Sequence, residues 1–249
     1  MTTDARVTSP IDELVAANRI LANAGVLDAF GHVSARHPVD PSLFLMSRSR
    51  SPELVTANDI RELHLDGTPV EPANHTPYIE RFIHAAIYAA RPDVMGIVHS
   101  HADEVVPFSI SRTPLQPVLH TAAPMGANVP VWDIRDQFGS HTNLLVTNLD
   151  QGRDLARRLG AERVVLMRGH GFAAAGRSLF EAVKIALYLP RNAQILATAL
   201  AIGDDAIVLS EGEIEALSSI APEAPSSRRA WEYWCAKAGI ADLSGGMNV

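Results

Sequence analysis

Apolar positions recur along this chain with two periods, one helical and one strand-like, and the switches between them set out the elements. The first helix is expected to start at Ser9, with Pro10 at the first helical position and Asp12 in the first turn. Leu14, Val15, Ile20 and Leu21 form its apolar face, and Gly25 ends it. Phe30 to Arg36 reads as a strand, Pro38 to Ser42 as a turn, and Leu43 to Met46 as the hairpin partner. Ile60 to Leu65 alternates, and Asp66-Gly67 is a hairpin-turn signal. Thr76-Pro77 predicts the start of a second helix, with Phe82, Ile83, Ala86, Ile87 and Ala90 on its apolar side. Arg91-Pro92-Asp93 breaks it, and the run Val94 to Val98 is a short buried strand leading into His99-Ser100-His101.

Ala102 to Ile110 predicts a short helix despite Pro107, and Pro114 to Phe138 reads as irregular around a short strand at Val129 to Trp132. Asp150 is expected to cap a helix running to Gly160. Strands at Arg163 to Met167 and Gly171 to Ala175 flank a Gly-His-Gly turn. Ser178 with Glu181 predicts a capping box for a long helix, Leu179 to Ile202, kinked at Pro190; Ser210 with Glu213 repeats the box. A last helix contains Arg228 to Lys237, and the tail after Asp242 reads as frayed. The strands include hairpins, so a mixed sheet covered by helices fits better than a purely parallel one. No internal repeat or linker divides the chain, which reads as a single domain over residues 1–249.

Composition narrows the class. Apolar residues make up 47% of the chain and charged residues 20%, a balance typical of a folded globular protein. The net charge of -7, without a long basic stretch, argues against a nucleic-acid partner. Cys235 is the one cysteine, so no intrachain disulfide can form. The N-terminal stretch is polar, and no apolar run reaches the ~18 residues that span a bilayer. A cytoplasmic protein without a membrane partner is expected.

The candidate chemistry centres on histidine. Positions i and i+2 of a strand point to the same side, so His99 and His101 converge as two ligands of one metal must. His170, flanked by glycines after the strand-like run Val164 to Met167, offers a third imidazole, and Glu80 is a candidate proton carrier. Three imidazoles and one carboxylate point to metal-assisted carbon chemistry. Glu104 follows His101 too closely for a cupin site, and the His-x-His pair lies too far along the chain for an amidohydrolase barrel. Gly169-His170-Gly171-Phe172-Ala173-Ala174 matches G-x-G-x-x-A, but a dinucleotide site needs a helix starting there, and the helix signal begins at Ser178.

Together these residues resemble the class II aldolase/adducin family over roughly Ile11 to Leu200. Gly31-His32-Val33-Ser34-Ala35-Arg36 resembles the family's G-N-x-S-x-R, and Pro77-Tyr78-Ile79-Glu80 resembles P-S-S-E. The helix ending in Ile87 to Asp93, His99-Ser100-His101 and Gly169-His170-Gly171 complete the resemblance. It implies a three-layer α/β/α fold with a mixed, mostly antiparallel central sheet, and a homotetramer with active sites near subunit interfaces. It implies His99, His101 and His170 as ligands of a divalent metal, Zn2+ or Mn2+, and Glu80 as the acid/base.

The departures carry the substrate information. Sugar-phosphate aldolases cradle phosphate with small hydroxyl-bearing residues; here those positions read His32, Ser47-Arg48 and Tyr78-Ile79. The pocket becomes larger and flatter, and Arg48 brings a planar fork suited to a carboxylate. The pattern resembles the branch that decarboxylates hydroxy-aromatic and ring-fission carboxylates. An aldolase of unphosphorylated substrates and a non-catalytic adducin-like scaffold are the alternatives. To donate a proton near neutral pH Glu80 needs a raised pKa, which burial against Tyr78 and Ile79 is expected to supply. Arg48 and Arg50 also suit solvated strand ends, and His120 suits either the site or a loop. His37, His64, His75, His84 and His141 show no partner pattern and read as surface or core. Trp231, Tyr233 and Trp234 of the last helix either cover a site or pack.

Overall fold

The computed structural model describes residues 9–71, 75–203, 205–221 and 224–240. The chain enters through α1 (Pro10–Asn23), whose N-cap Ser9 accepts from the Asp12 N–H. It continues into β1 (His32–Arg36), β2 (Leu43–Ser47) and β3 (Ile60–His64), then α2 (Arg81–Ala90) and β4 (Gly96–Ser100). A 3-10 turn and the short α3 (Val106–Ile110) follow. The irregular stretch after α3 holds a 3-10 segment at His120–Met125, β5 (Val131–Trp132) and α4 (Arg135–Phe138). Then come α5 (Leu149–Leu159), the hairpin β6 (Val164–Met167) and β7 (Gly171–Gly176), and the long α6 (Leu179–Ile202). Helices α7 (Glu211–Ser218) and α8 (Pro225–Lys237) close the described chain. The expected frayed tail lies outside the described residues.

The seven strands form one mixed sheet in the order β3-β2-β1-β4-β7-β6-β5. Every pair is antiparallel except β5 with β6. Both faces are covered. Alternate residues of each strand feed two cores: Val33, Val98, Leu166 and Phe172 pack with α1, α6 and α8, whereas Ile97, Val165, Met167 and Ala173 pack with α2 and α5. The result is three layers. Helix α6 is long and apolar enough to cross a membrane by length and composition, but its buried face, including Val183, Ala186 and Leu189, belongs to the first core. Trp231 is buried there, and Trp234 stacks on Phe180 at 5.6 Å, so these α8 aromatics pack; Tyr233 remains exposed.

Local expectations are corrected at three helix starts. Helix α2 begins at Arg81 rather than at Thr76-Pro77, which places Glu80 at the N-cap, outside the first turn. Helix α5 is capped by Asn148, not Asp150, because Asn148 is extended and its side chain accepts the Gln151 N–H at 3.0 Å. At α6 Ser178 caps the helix, but the Glu181 carboxylate accepts from the Arg177 N–H instead of closing the box. Helix α6 runs through Pro190 without interruption, and the box at Ser210 and Glu213 forms in full.

Candidate metal centre

The site gathers where β4, the β6–β7 turn and the start of α2 meet. His99 lies in the centre of the sheet, paired with His32 of β1 on one side and Ala173 of β7 on the other. His101 follows just past the strand end. His170 sits in the hairpin turn, where Gly169 takes a φ of +62° that favours glycine. A Cβ on Gly171 would overlap the Ser100 carbonyl, so the glycine lets β7 close against β4 beside the imidazoles.

The three imidazoles share one arrangement. The His101 Nε2 lies 3.0 Å from the Nε2 of both His99 and His170. Each outward nitrogen meets an acceptor: His99 Nδ1 the Phe172 carbonyl at 3.0 Å, His170 Nδ1 the Leu144 carbonyl at 3.0 Å, and His101 Nδ1 the Asp28 carboxylate at 3.4 Å. A carbonyl or carboxylate can only accept, so these contacts assign the proton to Nδ1 in all three rings. Three Nε2 electron pairs then face one another with no proton between them, an arrangement that a shared cation stabilises. Burial holds His101 below its ordinary value and His170 down at about 4, keeping both rings neutral, as metal ligation requires. The residues therefore fit a divalent metal.

Glu80 completes the cluster, with one ligand atom from each of the four residues lying within 4.8 Å of the others. Its Oε2 lies 3.5 Å from His99 Nε2 and 3.6 Å from His170 Nε2, and its Oε1 accepts the Val146 N–H at 2.9 Å. The expected raised pKa is not what the surroundings give. Burial pushes the carboxyl up, but the positive charge that the neighbouring imidazoles gain as the pH falls and the Val146 N–H outweigh it and hold the group down at about 2. Ile79, expected to bury it, is 56% exposed. Glu80 is a carboxylate at neutral pH.

The other predicted residues divide. His32 is buried, its ring 4.9 Å from His99 and 4.6 Å from Tyr78. Tyr78 is buried and its hydroxyl donates to the Arg50 carbonyl. Ser47 is buried at the end of β2. Arg48 makes no hydrogen bond or ion pair with the cluster among the described residues; its Nε pairs with Asp59 at 2.7 Å, and Arg50 reaches the other oxygen of Asp59 at 3.4 Å. His120 is exposed.

Sequence reasoning missed Asp28, which steadies His101, and it missed the partners of His84, which it read as surface or core. His84 is fully buried and lies 2.7 Å from His32 Nδ1 through its Nε2. Its Nδ1 lies 2.6 Å from the Ser34 hydroxyl, which meets the Tyr88 hydroxyl at 2.9 Å. The signal was present in two periods. His32, Ser34 and Arg36 alternate on one face of a strand, and Glu80, His84 and Tyr88 recur every four residues along the start and body of a helix. Two residues of strand and four of helix each advance the chain by about 6 Å, so the two polar rows mesh.

A family model described as Class II Aldolase and Adducin N-terminal domain matches residues 12–197. The chain is 37% identical over 247 residues to decarboxylase tropJ of Talaromyces stipitatus, covering 90% of this chain and 92% of that protein. It is 28% identical to the 3,4-dihydroxyphthalate decarboxylase of a Terrabacter species, covering 84% and 90% of the two chains. Among solved structures, L-fuculose 1-phosphate aldolase from Glaciozyma antarctica superposes with a TM-score of 0.72 at 22% identity, covering 95% of this chain and 91% of that one, a likeness of fold.

Proposed function

Because the chain belongs to the class II aldolase and adducin N-terminal domain family, we propose that it is a metal-dependent decarboxylase of a hydroxy-aromatic or hydroxy-dienoate carboxylate. The observation that carries the chemistry is the set of three Nε2 electron pairs turned to one point with the Glu80 carboxylate beside it. Similarity to two decarboxylases favours loss of CO2 over aldol cleavage. So does the wall formed by His32 and Tyr78, which are flat rings where a phosphate site needs small hydroxyl-bearing residues.

His99, His101 and His170 would hold the metal, Zn2+ or Mn2+. When bound, the metal supplies a Lewis acid for the electron pair left on carbon as the carbon–carbon bond breaks. The chain's own residues do the rest. Glu80, ionised before substrate arrives, takes the proton of the substrate hydroxyl at Oε2. The carboxylate leaves as CO2, and Glu80 returns the proton to the carbon. His32 anchors the departing carboxylate. Arg48 adds positive charge from the 48–50 segment, which is tied to the Tyr78 segment by the Ser49 N–H on the Thr76 carbonyl at 3.0 Å. Assembly as a homotetramer belongs to the same reading.

The test is product identity. Protein loaded with Zn2+ or Mn2+ is offered a panel of ortho-hydroxy-arene carboxylates and hydroxy-dienoates, with CO2 release measured. Metal-dependent CO2 from at least one of them is expected. Aldehyde from an unphosphorylated hydroxy-ketone, with no CO2 from the panel, would establish the aldolase instead.

A further inference from the structure

The chain His32–His84–Ser34–Tyr88 is buried throughout, and its direction can be worked out from its closed end. Among the described residues the Tyr88 hydroxyl has one hydrogen-bond partner, Ser34 Oγ at 2.9 Å. A buried O–H left without an acceptor is costly, so Tyr88 donates to Ser34. The Ser34 hydroxyl then has one proton and one remaining partner, His84 Nδ1 at 2.6 Å, and donates to it. His84 accepts at Nδ1, so its proton is on Nε2, and it donates to His32 Nδ1 at 2.7 Å. His32 accepts at Nδ1, so its own proton is on Nε2. The opposite direction would strand the Tyr88 proton with nothing to accept it. Burial supports the neutral form of His84, which it pushes down to about 3.

We propose that Tyr88, Ser34 and His84 form a one-way hydrogen-bond relay that fixes His32 as an Nε2–H donor to an oxygen acceptor of the substrate. The ring sits 4.9 Å from His99, and its Nε2 has no protein partner among the described residues. The ring therefore stands beside His99, one of the three imidazoles that share a point. The acceptor it fits is a carboxylate or phenolate oxygen; a group presenting its own N–H or O–H there meets a donor it cannot accept from. His84, Ser34 and Tyr88 are positioning residues, since they act through His32. The assignment of the acceptor rests on the decarboxylase reading above, whereas the direction of the relay does not.

Two measurements test it on the zinc-loaded full chain. Neutron diffraction after exchange into deuterated water should show deuterium on Nε2 of both His32 and His84; deuterium on His32 Nδ1 overturns the relay whatever the enzyme does. Salicylate binding by titration calorimetry tests its use. His84→Gln keeps an N–H for His32 and an acceptor for Ser34, and should bind salicylate within about threefold of the unaltered protein. His84→Glu offers only acceptors, demands the proton on His32 Nδ1, and should weaken binding about tenfold or more, as loss of a hydrogen bond to a charged group does. Equal binding by the Glu variant, or equal loss in both folded variants, overturns the donor role. If no panel compound releases CO2 yet deuterium lies on His32 Nε2 and the binding order holds, the decarboxylase reading fails and the relay stands.

Discussion

Two groups of imidazoles, one partly buried and one fully buried, lie side by side in this protein, and the same side chain is set to opposite purposes. In His99, His101 and His170 the outward Nδ1 meets an acceptor, so the inward Nε2 carries an electron pair. In His32 and His84 the Nδ1 receives a proton from a neighbour, so the Nε2 carries a hydrogen. In the function proposed above, the first group presents three acceptors to a cation and the second presents a donor to an anion. What separates them is the chemistry of the partner on the far nitrogen, a carbonyl or carboxylate in one case and a donating hydroxyl chain in the other. A substrate that bridges a metal and a donor, as an ortho-hydroxy carboxylate can, uses both.

The largest expected break in this comparison comes from the acceptor group. His99→Ala removes one of three converging electron pairs, and should abolish bound metal in elemental analysis together with turnover. His32→Gln, at the same depth in the sheet, should leave metal content unchanged and raise KM. Metal lost from both variants alike would mean that the two groups are one. Next in size is Glu80→Gln, which keeps the shape and a carbonyl for the Val146 N–H but cannot take a proton. Turnover should fall about 10²–10⁴-fold, the range for loss of a positioned acid/base, with metal retained. Loss of metal instead would make Glu80 a ligand.

The acceptor group was legible in the sequence because its geometry is local. A strand period places His99 with His101, and a glycine-flanked turn marks His170. The layers were legible for the same reason, since the β6–β7 hairpin, α1, α6 and α7 all announce themselves through caps and alternation. The donor group was not. His84 reads as a stray polar residue in a helix until β1 is laid across it, and that pairing joins residues fifty positions apart. Asp28 was hidden similarly: its carboxylate also accepts the Phe30 and Gly31 N–H groups, so it reads as an ordinary turn residue. The pKa of Glu80 was misjudged because burial was assigned from sequence neighbours, whereas the groups that set it are imidazoles from β4 and the β6–β7 turn.

Asp28 gives a smaller test of the acceptor group alone. It lies 3.4 Å from His101 Nδ1 and is the one charged acceptor among the three outward contacts. Asp28→Asn should weaken metal binding about 10–100-fold, the usual cost of altering a partner behind a ligand, as read by competition with a chelator. The relay should be untouched, so salicylate affinity at saturating metal should hold. A fall in that affinity at full metal occupancy would show that the two groups communicate.

The smallest effect belongs to the donor group and appears as a pH dependence of stability. His84 titrates at about 3 when folded, against an ordinary value of 6.5. Below pH 6.5 the unfolded chain takes up a proton that the folded chain refuses, so stability contributed by the neutral ring is complete above 6.5 and is lost as pH falls from there toward 3. One such ring should cost about 1 kcal/mol between pH 7.5 and 5.5. Glutamine does not titrate, so His84→Gln should lose about that much less than the unaltered protein over the same interval, in denaturant unfolding followed at each pH. Equal losses would mean that His84 takes up its proton in the folded state as readily as in the unfolded chain. A protonated His84 has no lone pair to receive the Ser34 hydroxyl, so the Ser34–Tyr88 half of the relay would reverse while His84 Nε2 still donated to His32 Nδ1.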